Sequence, residues 1–358
     1  MKMVNINKCL LAALMSVALC STLLTGCGDK SDATEIVLTT DFNDDEIFRI
    51  DSQSCTVPEV NIYMYTSKDQ YQNIFGSEIW EQDLGGTTLM DELKDITLAR
   101  LAQIKAMNLL GEERQIELSD SEKEKAKEAA KEFMAGLDPS AIALLGVNEE
   151  LVENMYAQYL MAEKVYDDIT ADVNPEISDD EARTIKVKQI LLKTYEEDEN
   201  GNRTEFDTDR RNEVYKKALK IHSKAMAEDA DFDALINEYN QGDEWEYTFG
   251  KGDMPQAYEE AAFNLDKDEI SNVVQTDYGY HIIKCISNFD KDETDANKAR
   301  IVAKRKKEAF SKVYEDFIRT LHSSLNEELW DKLEFEVKDE IETVNFFDVY
   351  NSVFKSKG

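Results

Sequence analysis

The spacing of apolar residues changes twice along this 358-residue chain, and this change limits the folds open to it. Over residues 58–172 apolar side chains recur every three or four positions, which predicts helices. Over residues 184–289 short alternating stretches are interspersed with helical ones, which predicts a mixed α/β unit. The helical spacing returns from residue 290 to about 330. We therefore expect an α+β fold in which a compact α/β domain is inserted into a helical one.

The first helical part contains three predicted amphipathic helices, over residues 91–110, 119–133 and 149–169. Gly111 is predicted to end the first of them. Ser119, followed three positions later by Glu122, predicts a capping box at the start of the second. A short helix is expected to begin at Ser178, before the α/β stretch.

The α/β stretch contains alternating runs rich in β-branched residues, separated by turn residues. Strands are predicted over residues 185–192, 245–249, 270–275 and 280–286, and helices over 207–227, 231–239 and 255–263. Pro255 suits the first position of the last helix, where no backbone donor is needed. A further strand-like run covers residues 333–337.

The charge of the chain excludes one class of partner. There are 75 Asp and Glu against 41 Lys and Arg, giving a net charge of -34. A field of that sign repels phosphate backbones, so we expect no nucleic-acid partner. The three histidines and five cysteines show no zinc-ligand spacing, so no metal and no cofactor are expected.

The N-terminal segment has the pattern of a secretory signal. Lys2 and Lys8 precede an uncharged, largely apolar run over residues 9–28. An uncleaved membrane helix is the alternative, since about 20 apolar residues can span a bilayer. The run ends in Leu-Thr-Gly before Cys27, which resembles the lipobox of bacterial lipoprotein precursors.

The lipobox implies cleavage after residue 26 and acylation of Cys27, which would anchor the protein on the extracytoplasmic face of a bacterial cell membrane. Cleavage would remove two lysines and no acid, changing the net charge from -34 to -36. Residues 29–45, poor in large apolar side chains, would form a tether. Cys55 and Cys285 then remain, and they could either form a disulfide or stay free.

Two segments of the α/β stretch resemble a known domain family. Residues 249–263 read FGKGDMPQAYEEAAF, and residues 269–284 read EISNVVQTDYGYHIIK. Both are similar to the parvulin-type peptidyl-prolyl isomerase domain, with its glycine-rich strand end, its Met-x3-aromatic helix start and its GyHII strand. The whole plan resembles the PrsA-type foldase lipoproteins, with the SurA chaperones as relatives.

The resemblance implies five segments along the chain. They are a signal peptide over 1–26, a tether and start of the N-terminal region over 27–57, the first part of a helical chaperone-like domain over 58–180, a parvulin-like domain over 184–290, and a C-terminal helical segment over 291–358 that completes the chaperone-like domain.

The resemblance also assigns site residues. Phe249, Met254 and Tyr258 would line the pocket for the substrate proline, while His281 and Thr276 would belong to the hydrogen-bonded network beneath it. From periodicity alone, Met254 and Tyr258 would be ordinary core residues.

The sequence departs from the family at three positions. Gln189 stands where the family usually has a histidine in the first strand, and a glutamine can donate and accept hydrogen bonds but cannot titrate. The loop before the second strand is shortened, and Asp243 is its nearest candidate for the family's Cys or Asp. Glu246 falls on the position of the pocket leucine if no gap intervenes.

Three functions are compatible with these features. The first is a lipid-anchored foldase that binds unfolded exported proteins and isomerises their X–Pro bonds. The second is a client-binding lipoprotein of the same architecture whose parvulin domain is not catalytic, which Gln189 favours. The third is a surface lipoprotein with another partner. A basic run at residues 298–307 is expected either to form a solvated helix face or to pair with acidic helices within the molecule, with binding to anionic headgroups as an alternative.

Overall fold

The computed structural model describes residues 42–81, 88–198, 202–335 and 344–355. The predicted signal segment, Cys27 and residues 29–41 of the predicted tether lie outside these ranges. The chain divides into a helical unit, Met1–Asp172 with Glu308–Gly358, and an α/β unit, Val173–Lys307. No helix within the described ranges is long and apolar enough to span a bilayer. The expected mixed fold, with a sheet-containing unit inserted into a helical one, is confirmed.

The elements are numbered in chain order. The strands are β1 (Glu46–Ile50), β2 (Gln53–Thr56), β3 (Ile185–Lys193), β4 (Tyr195–Glu197), β5 (Arg203–Glu205), β6 (Glu246–Phe249), β7 (Val274–Thr276), β8 (Gly279–Ser287) and β9 (Ser323–Leu325). The helices are α1 (Val57–Phe75), α2 (Leu89–Glu113), α3 (Asp120–Ala135), α4 (Pro139–Leu145), α5 (Glu149–Thr170), α6 (Asp179–Ala182), α7 (Thr208–Ala225), α8 (Phe232–Tyr239), α9 (Gln256–Phe263), α10 (Lys291–Ile318), α11 (Glu327–Lys332) and α12 (Phe346–Tyr350). A 3-10 helix covers Ser77–Glu81 and a π-helix covers Asn351–Lys355.

The three helices predicted in the first helical part are confirmed as α2, α3 and α5. The capping box at the start of α3 is also confirmed, because Ser119 and Glu122 exchange both hydrogen bonds. The prediction that Gly111 ends α2 is wrong. Gly111 is buried inside the helix, where a Cβ atom would lie only 3.0 Å from Val165 of α5. The glycine therefore permits close packing of two helices and does not terminate one.

A small antiparallel sheet in the helical unit was not expected from the sequence. Its strand order is β2-β1-β9, so the end of the chain returns to pair with its beginning. Strands of three to five residues give too short an alternation to stand out. The predicted strand over 333–337 is not supported, because residues 333–335 have no regular structure and 336–337 lie outside the described ranges.

The centre of the helical unit is α2, which is buried on nearly all sides. Its Lys105 makes a buried ion pair with Glu59 at 2.6 Å and also donates to the Gln158 side chain at 2.8 Å. The C-terminal residues complete the core, since the Phe346 ring stacks on Tyr156 with centroids 4.1 Å apart. The Tyr156 hydroxyl donates to the Phe346 carbonyl at 3.1 Å.

The α/β unit is organised by a four-stranded antiparallel sheet of order β6-β3-β8-β7. Helices α7 and α8 cover one face of this sheet, and α9 covers the other. The predicted strand over 185–192 is confirmed as β3. In the predicted closing hairpin, β8 is confirmed, but the first strand is only Val274–Thr276, and Ile270 forms an isolated bridge with Lys284.

The basic run at residues 298–307 pairs within the α/β unit. Lys298 contacts Asp179 at 2.5 Å, and Arg305 pairs with Glu181. These contacts support the interpretation of intramolecular pairing. Both Cys55 and Cys285 are buried, and each is a free thiol.

Replacing Phe346 by Ala should unfold the helical unit more easily. Truncation of a fully buried aromatic side chain costs about 3–5 kcal/mol of unfolding free energy. Urea titration followed by circular dichroism would measure the loss. The matched control is Phe75→Ala, whose side chain is 58% exposed and should change stability by less than about 0.5 kcal/mol. An equal effect of both changes would contradict a core role for the C-terminal segment.

Candidate functional site

The register between β3 and β8 places two polar side chains together on the face of the sheet that α9 covers. Leu191 lies opposite His281, and Gln189 lies opposite Ile283. Gln189 and His281 are therefore diagonal neighbours on the same face, a spacing that long side chains can bridge. Both are buried, at 4% and 5% exposure.

Both ring nitrogens of His281 have a hydrogen-bond partner. Nδ1 lies 2.8 Å from Gln189 Oε1, and Nε2 lies 2.7 Å from Thr276 Oγ1. The structure thus brings together His281 and Thr276, which the resemblance assigned to the polar network, and Gln189, which stands at the position of the family's first-strand histidine. Gln189 is the hydrogen-bond partner of one ring nitrogen of His281, and Thr276 is the partner of the other.

The outer partners set the direction of this network. Gln189 Nε2 lies 3.3 Å from the Tyr247 hydroxyl, which donates to the Glu244 carbonyl at 3.2 Å. At the other end, the Tyr278 backbone N–H donates to Thr276 Oγ1 at 3.1 Å. A backbone N–H can only donate and a carbonyl can only accept.

One arrangement of hydrogens satisfies every member. Thr276 donates to Nε2 of His281, Nδ1–H donates to Gln189 Oε1, and the Gln189 amide donates to Tyr247. His281 is therefore the neutral tautomer that carries its hydrogen on Nδ1. Hydrogen bonds aligned in one direction polarise and strengthen one another.

Burial keeps His281 uncharged. Loss of water around the ring lowers the pKa of His281 to about 4, because the charged imidazolium is disfavoured in a low-dielectric site. Gln189 cannot compensate with a negative charge. The network is consequently neutral throughout the physiological pH range.

An apolar wall stands beside this network. Phe249, Tyr258 and Met254 belong to one cluster of packed side chains on this face of the sheet. The Phe249 and Tyr258 ring centroids are 6.0 Å apart, and Tyr258 meets the His281 ring edge-to-face at 5.1 Å. The three residues assigned to the proline pocket therefore lie together, and Tyr258 links them to the polar network.

The Tyr258 hydroxyl is buried and has no hydrogen-bond partner. Burial raises the pKa of Tyr258 well above its usual value, so the group keeps its hydrogen and can donate. An unpaired buried hydroxyl costs about 1–3 kcal/mol relative to a paired one. The hydroxyl hydrogen of Tyr258 is therefore not used by any acceptor among the described residues.

The placement of Glu246 beside the apolar pocket is wrong, because Glu246 is paired with Lys186 at 2.6 Å on the opposite face of the sheet. Thr276 and Gln189 bind both ring nitrogens of His281, and the match of Asp243 to the family's Cys or Asp stays a prediction. The residue that reasoning from the sequence missed is Tyr247. Tyr247 lies two positions before Phe249 in a predicted strand, so the alternation of side chains already placed both residues on the same face of the sheet.

The turn that carries Thr276 requires a glycine. Gly279 has φ +133°, and a Cβ atom there would lie 2.1 Å from the Leu192 carbonyl oxygen. A larger residue would push β8 away from β3 and separate Thr276 from His281. Across the ranges that the structure describes, no group of three His, Cys, Asp or Glu side chains could hold a metal ion.

Comparison with known proteins identifies this unit. Residues 190–287 match the family described as rotamase, the PPIC-type PPIase domain. The chain carries a PPIC-type isomerase domain. The predicted resemblance to this family is thereby confirmed. The matched range contains the five residues that the resemblance assigned to the site, and Gln189 lies one position before it.

The likeness to foldases extends beyond the isomerase domain. The chain is 26% identical over 288 residues to the foldase protein PrsA of Caldanaerobacter subterraneus, covering 76% of this chain and 81% of that protein. It is 37% identical over 97 residues to PrsA of Halalkalibacterium halodurans, covering 25% and 28% of the two chains. A crystal structure of the PrsA peptidylprolyl isomerase from Bacillus cereus is 18% identical, with a TM-score of 0.35, and covers 90% of this chain and all of that one. The sequence similarity to a PrsA foldase thus extends over three quarters of the chain.

Replacing His281 by Gln should reduce the acid sensitivity of the isomerase domain. In the unfolded chain His281 takes up a proton as the pH falls below 6.5, whereas in the folded domain it does so only near pH 4. Between these two pH values the unfolded chain binds more protons, so the free energy of unfolding falls as the pH falls. A shift of this size corresponds to about 3 kcal/mol. The stability difference between wild type and variant should therefore narrow from pH 7 to pH 4.5.

Urea titrations read by hydrogen exchange of β3 and β8 peptides would measure this difference separately from the helical unit. The control is Leu219→Ala on α7, a side chain that does not titrate and is 42% exposed, whose difference from wild type should stay constant over the window. A constant difference for His281→Gln would mean that the buried ring is not held neutral.

Proposed function

We propose that this chain is a lipid-anchored foldase that acts outside the cytoplasm, isomerises X–Pro bonds in its inserted domain and binds unfolded exported proteins. The observation that carries the catalytic part is the neutral, fully bonded His281 beneath the apolar wall of Phe249, Met254 and Tyr258. Similarity to PrsA foldases over most of the chain supports the wider role.

The chemistry is rotation about an amide bond. Resonance gives the bond double-bond character and a barrier near 18–20 kcal/mol, so uncatalysed X–Pro isomerisation takes tens to hundreds of seconds. No covalent bond has to break, and no proton has to be transferred. Catalysis needs only an environment that favours the twisted amide over the planar one.

The site offers two such effects. A proline ring held against Phe249, Met254 and Tyr258 would fix one side of the bond while the preceding residue rotates. An apolar surrounding also disfavours the planar amide, whose resonance form separates charge, more than the twisted one. The rigid polar network under the wall keeps His281, and through it the Tyr258 ring, in position.

The Tyr258 hydroxyl provides a specific contact to the twisted state. As the amide loses resonance, its nitrogen becomes pyramidal and gains a lone pair that can accept a hydrogen bond. Tyr258 is a buried donor without a partner, so it loses no existing hydrogen bond when it donates to the substrate. We infer that this hydrogen bond forms only in the twisted state.

The location follows from the N-terminal sequence. The lipobox-like ending before Cys27 supports acylation at that residue, and two acyl chains suffice for stable anchoring where one does not. Exported proteins reach the outer face of the membrane unfolded, so a tethered foldase would meet them there. The helical unit would provide the surface that holds them.

Met254→Ala and His281→Ala should each lower kcat/KM by about tenfold or more. The first change removes part of the proline pocket, and the second breaks the network that positions Tyr258. A prolyl isomerisation assay on a chromogenic Ala-Pro peptide would measure both. Met226→Ala is the matched control, because that side chain is 59% exposed on the far side of the sheet.

A wild-type rate equal to the uncatalysed rate would refute isomerase activity and leave the client-binding function favoured by Gln189. An aggregation-suppression assay with the same samples tests client binding separately. Loss of both effects would overturn the proposed foldase.

Tyr258→Phe should lower kcat by about tenfold with KM unchanged, because the hydroxyl would bind only the twisted amide. The same change should leave unfolding free energy equal or higher, since it removes an unpaired buried hydroxyl. Tyr215→Phe, 41% exposed on α7, is the control and should change neither value. An unchanged kcat for Tyr258→Phe would show that the residue contributes only its ring.

A further inference from the structure

A cavity of about 330 Å³ lies within the helical unit. One face of α2, from Arg100 to Met107, forms one wall, and one face of α5, from Tyr159 to Asp167, forms the other. Lys355 lies at its edge. The volume is at the lower end of the range for pockets that bind small ligands, roughly 300–1,000 Å³.

Two nitrogen donors on α2 line this cavity: an amide without an acceptor, and a guanidinium that contacts the Tyr159 side chain but no carboxylate of the described residues. Gln103 is 4% exposed, and its amide nitrogen has no hydrogen-bond partner. Among the described residues, Arg100 forms no ion pair with a carboxylate; its guanidinium lies over the Phe347 ring at 4.5 Å. The two residues are three positions apart, so they share one helix face.

This donor pair is suited to a carboxylate. Arginine stays charged at every physiological pH, and its planar fork matches the two oxygens of a carboxylate. A buried amide donor without a partner is costly, which a ligand oxygen would relieve. Neutral ligands would leave the Arg100 charge without a counterion.

The rest of the cavity is suited to an apolar side chain. Ile104 and Met107 follow on the same face of α2, and Tyr166 lies opposite them on α5. The Glu163 carboxylate is already bound by Lys355 at 2.9 Å and by the Tyr350 hydroxyl at 2.7 Å.

The remaining acid, Asp167, lies away from the donor pair. It follows Tyr159 by two helical turns on α5, about 12 Å along the axis. A carboxylate at Arg100 would therefore meet little repulsion from it. The cavity thus has a cationic end and an apolar end.

We propose that this cavity binds the C-terminal residue of an unfolded polypeptide, with its free carboxylate on Arg100 and Gln103 and its apolar side chain against Ile104, Met107 and Tyr166. The choice of a polypeptide as the ligand rests on the proposed client binding. The site is independent of the isomerase domain, so its failure and the failure of prolyl isomerisation are separate results.

The test uses fluorescein-labelled hexapeptides and the full chain in an anisotropy titration. One peptide, Gly-Ser-Gly-Ser-Gly-Phe, has a free carboxylate, a second is its C-terminal amide, and a third ends in glycine with a free carboxylate. We expect the amide to bind at least about tenfold more weakly, since it loses a charge-assisted contact. The peptide that ends in glycine should also bind more weakly, because it leaves the apolar end empty.

Two variants test the donors directly. Arg100→Gln should abolish the preference for the free acid over the amide, whereas Arg114→Gln should keep it. Arg114 directly follows α2 and pairs with Asp168 at 2.7 Å, and it does not line the cavity. Gln103→Met should weaken binding of the free acid several-fold without lowering the urea midpoint, because the amide nitrogen that it removes has no partner in the free protein.

Equal affinity for the free acid and the amide would overturn the proposal. So would a free-acid preference that survives Arg100→Gln in a folded variant. If Arg100→Gln fails to fold, the Gln103→Met result decides, since unchanged binding there also overturns it.

Discussion

The antiparallel pairing of β3 with β8 is the constraint on which the isomerase domain depends. It sets Leu191 opposite His281 and so brings Gln189 beside the imidazole on the face that α9 covers. Because side chains alternate along a strand, a slip of one residue would turn Gln189 into the opposite core and leave His281 with one partner. Gly279 protects this register, since only a glycine tolerates the approach of the Leu192 carbonyl at the start of β8.

Substitution of Gln for the usual first-strand histidine simplifies the electrostatics of the site. Two imidazoles could share a proton, whereas Gln189 fixes one tautomer of His281 and one direction for the whole hydrogen-bonded chain. Amide rotation creates no formal charge, so a neutral network is sufficient for it. The substitution is therefore compatible with catalysis by positioning. The absence of the first-strand histidine does not by itself make the domain non-catalytic.

Most elements of the fold were predictable because their periods are long and their ends carry capping signals, as with Ser119 and Glu122 at the start of α3. The β1–β2–β9 sheet was not, because its strands are short and β9 pairs with a strand that lies more than 270 residues earlier in the chain, as Phe48 with Leu325. Gly111 shows a similar limit: a glycine after an apolar run suggests a helix end, and only the proximity of Val165 reveals a packing role. At the site, the motif gave His281, Met254 and Tyr258, whereas Tyr247 lies in a predicted strand but outside the motif segments, so only its alternation with Phe249 pointed to this face.

The two proposed sites differ in their electrostatics, and the difference matches the chemistry proposed for each. Rotation of an amide is favoured by a dry, neutral pocket, and a charged His281 would draw in water and anions. Binding of a C-terminal carboxylate requires the opposite, a side chain that stays positively charged at every physiological pH. Arg100 provides this charge, and its guanidinium lies over the Phe347 ring. In both places a buried donor without a partner, the Tyr258 hydroxyl or the Gln103 amide, lies beside an apolar surface. A folded domain bears the cost of such a donor most readily where a ligand supplies the missing acceptor.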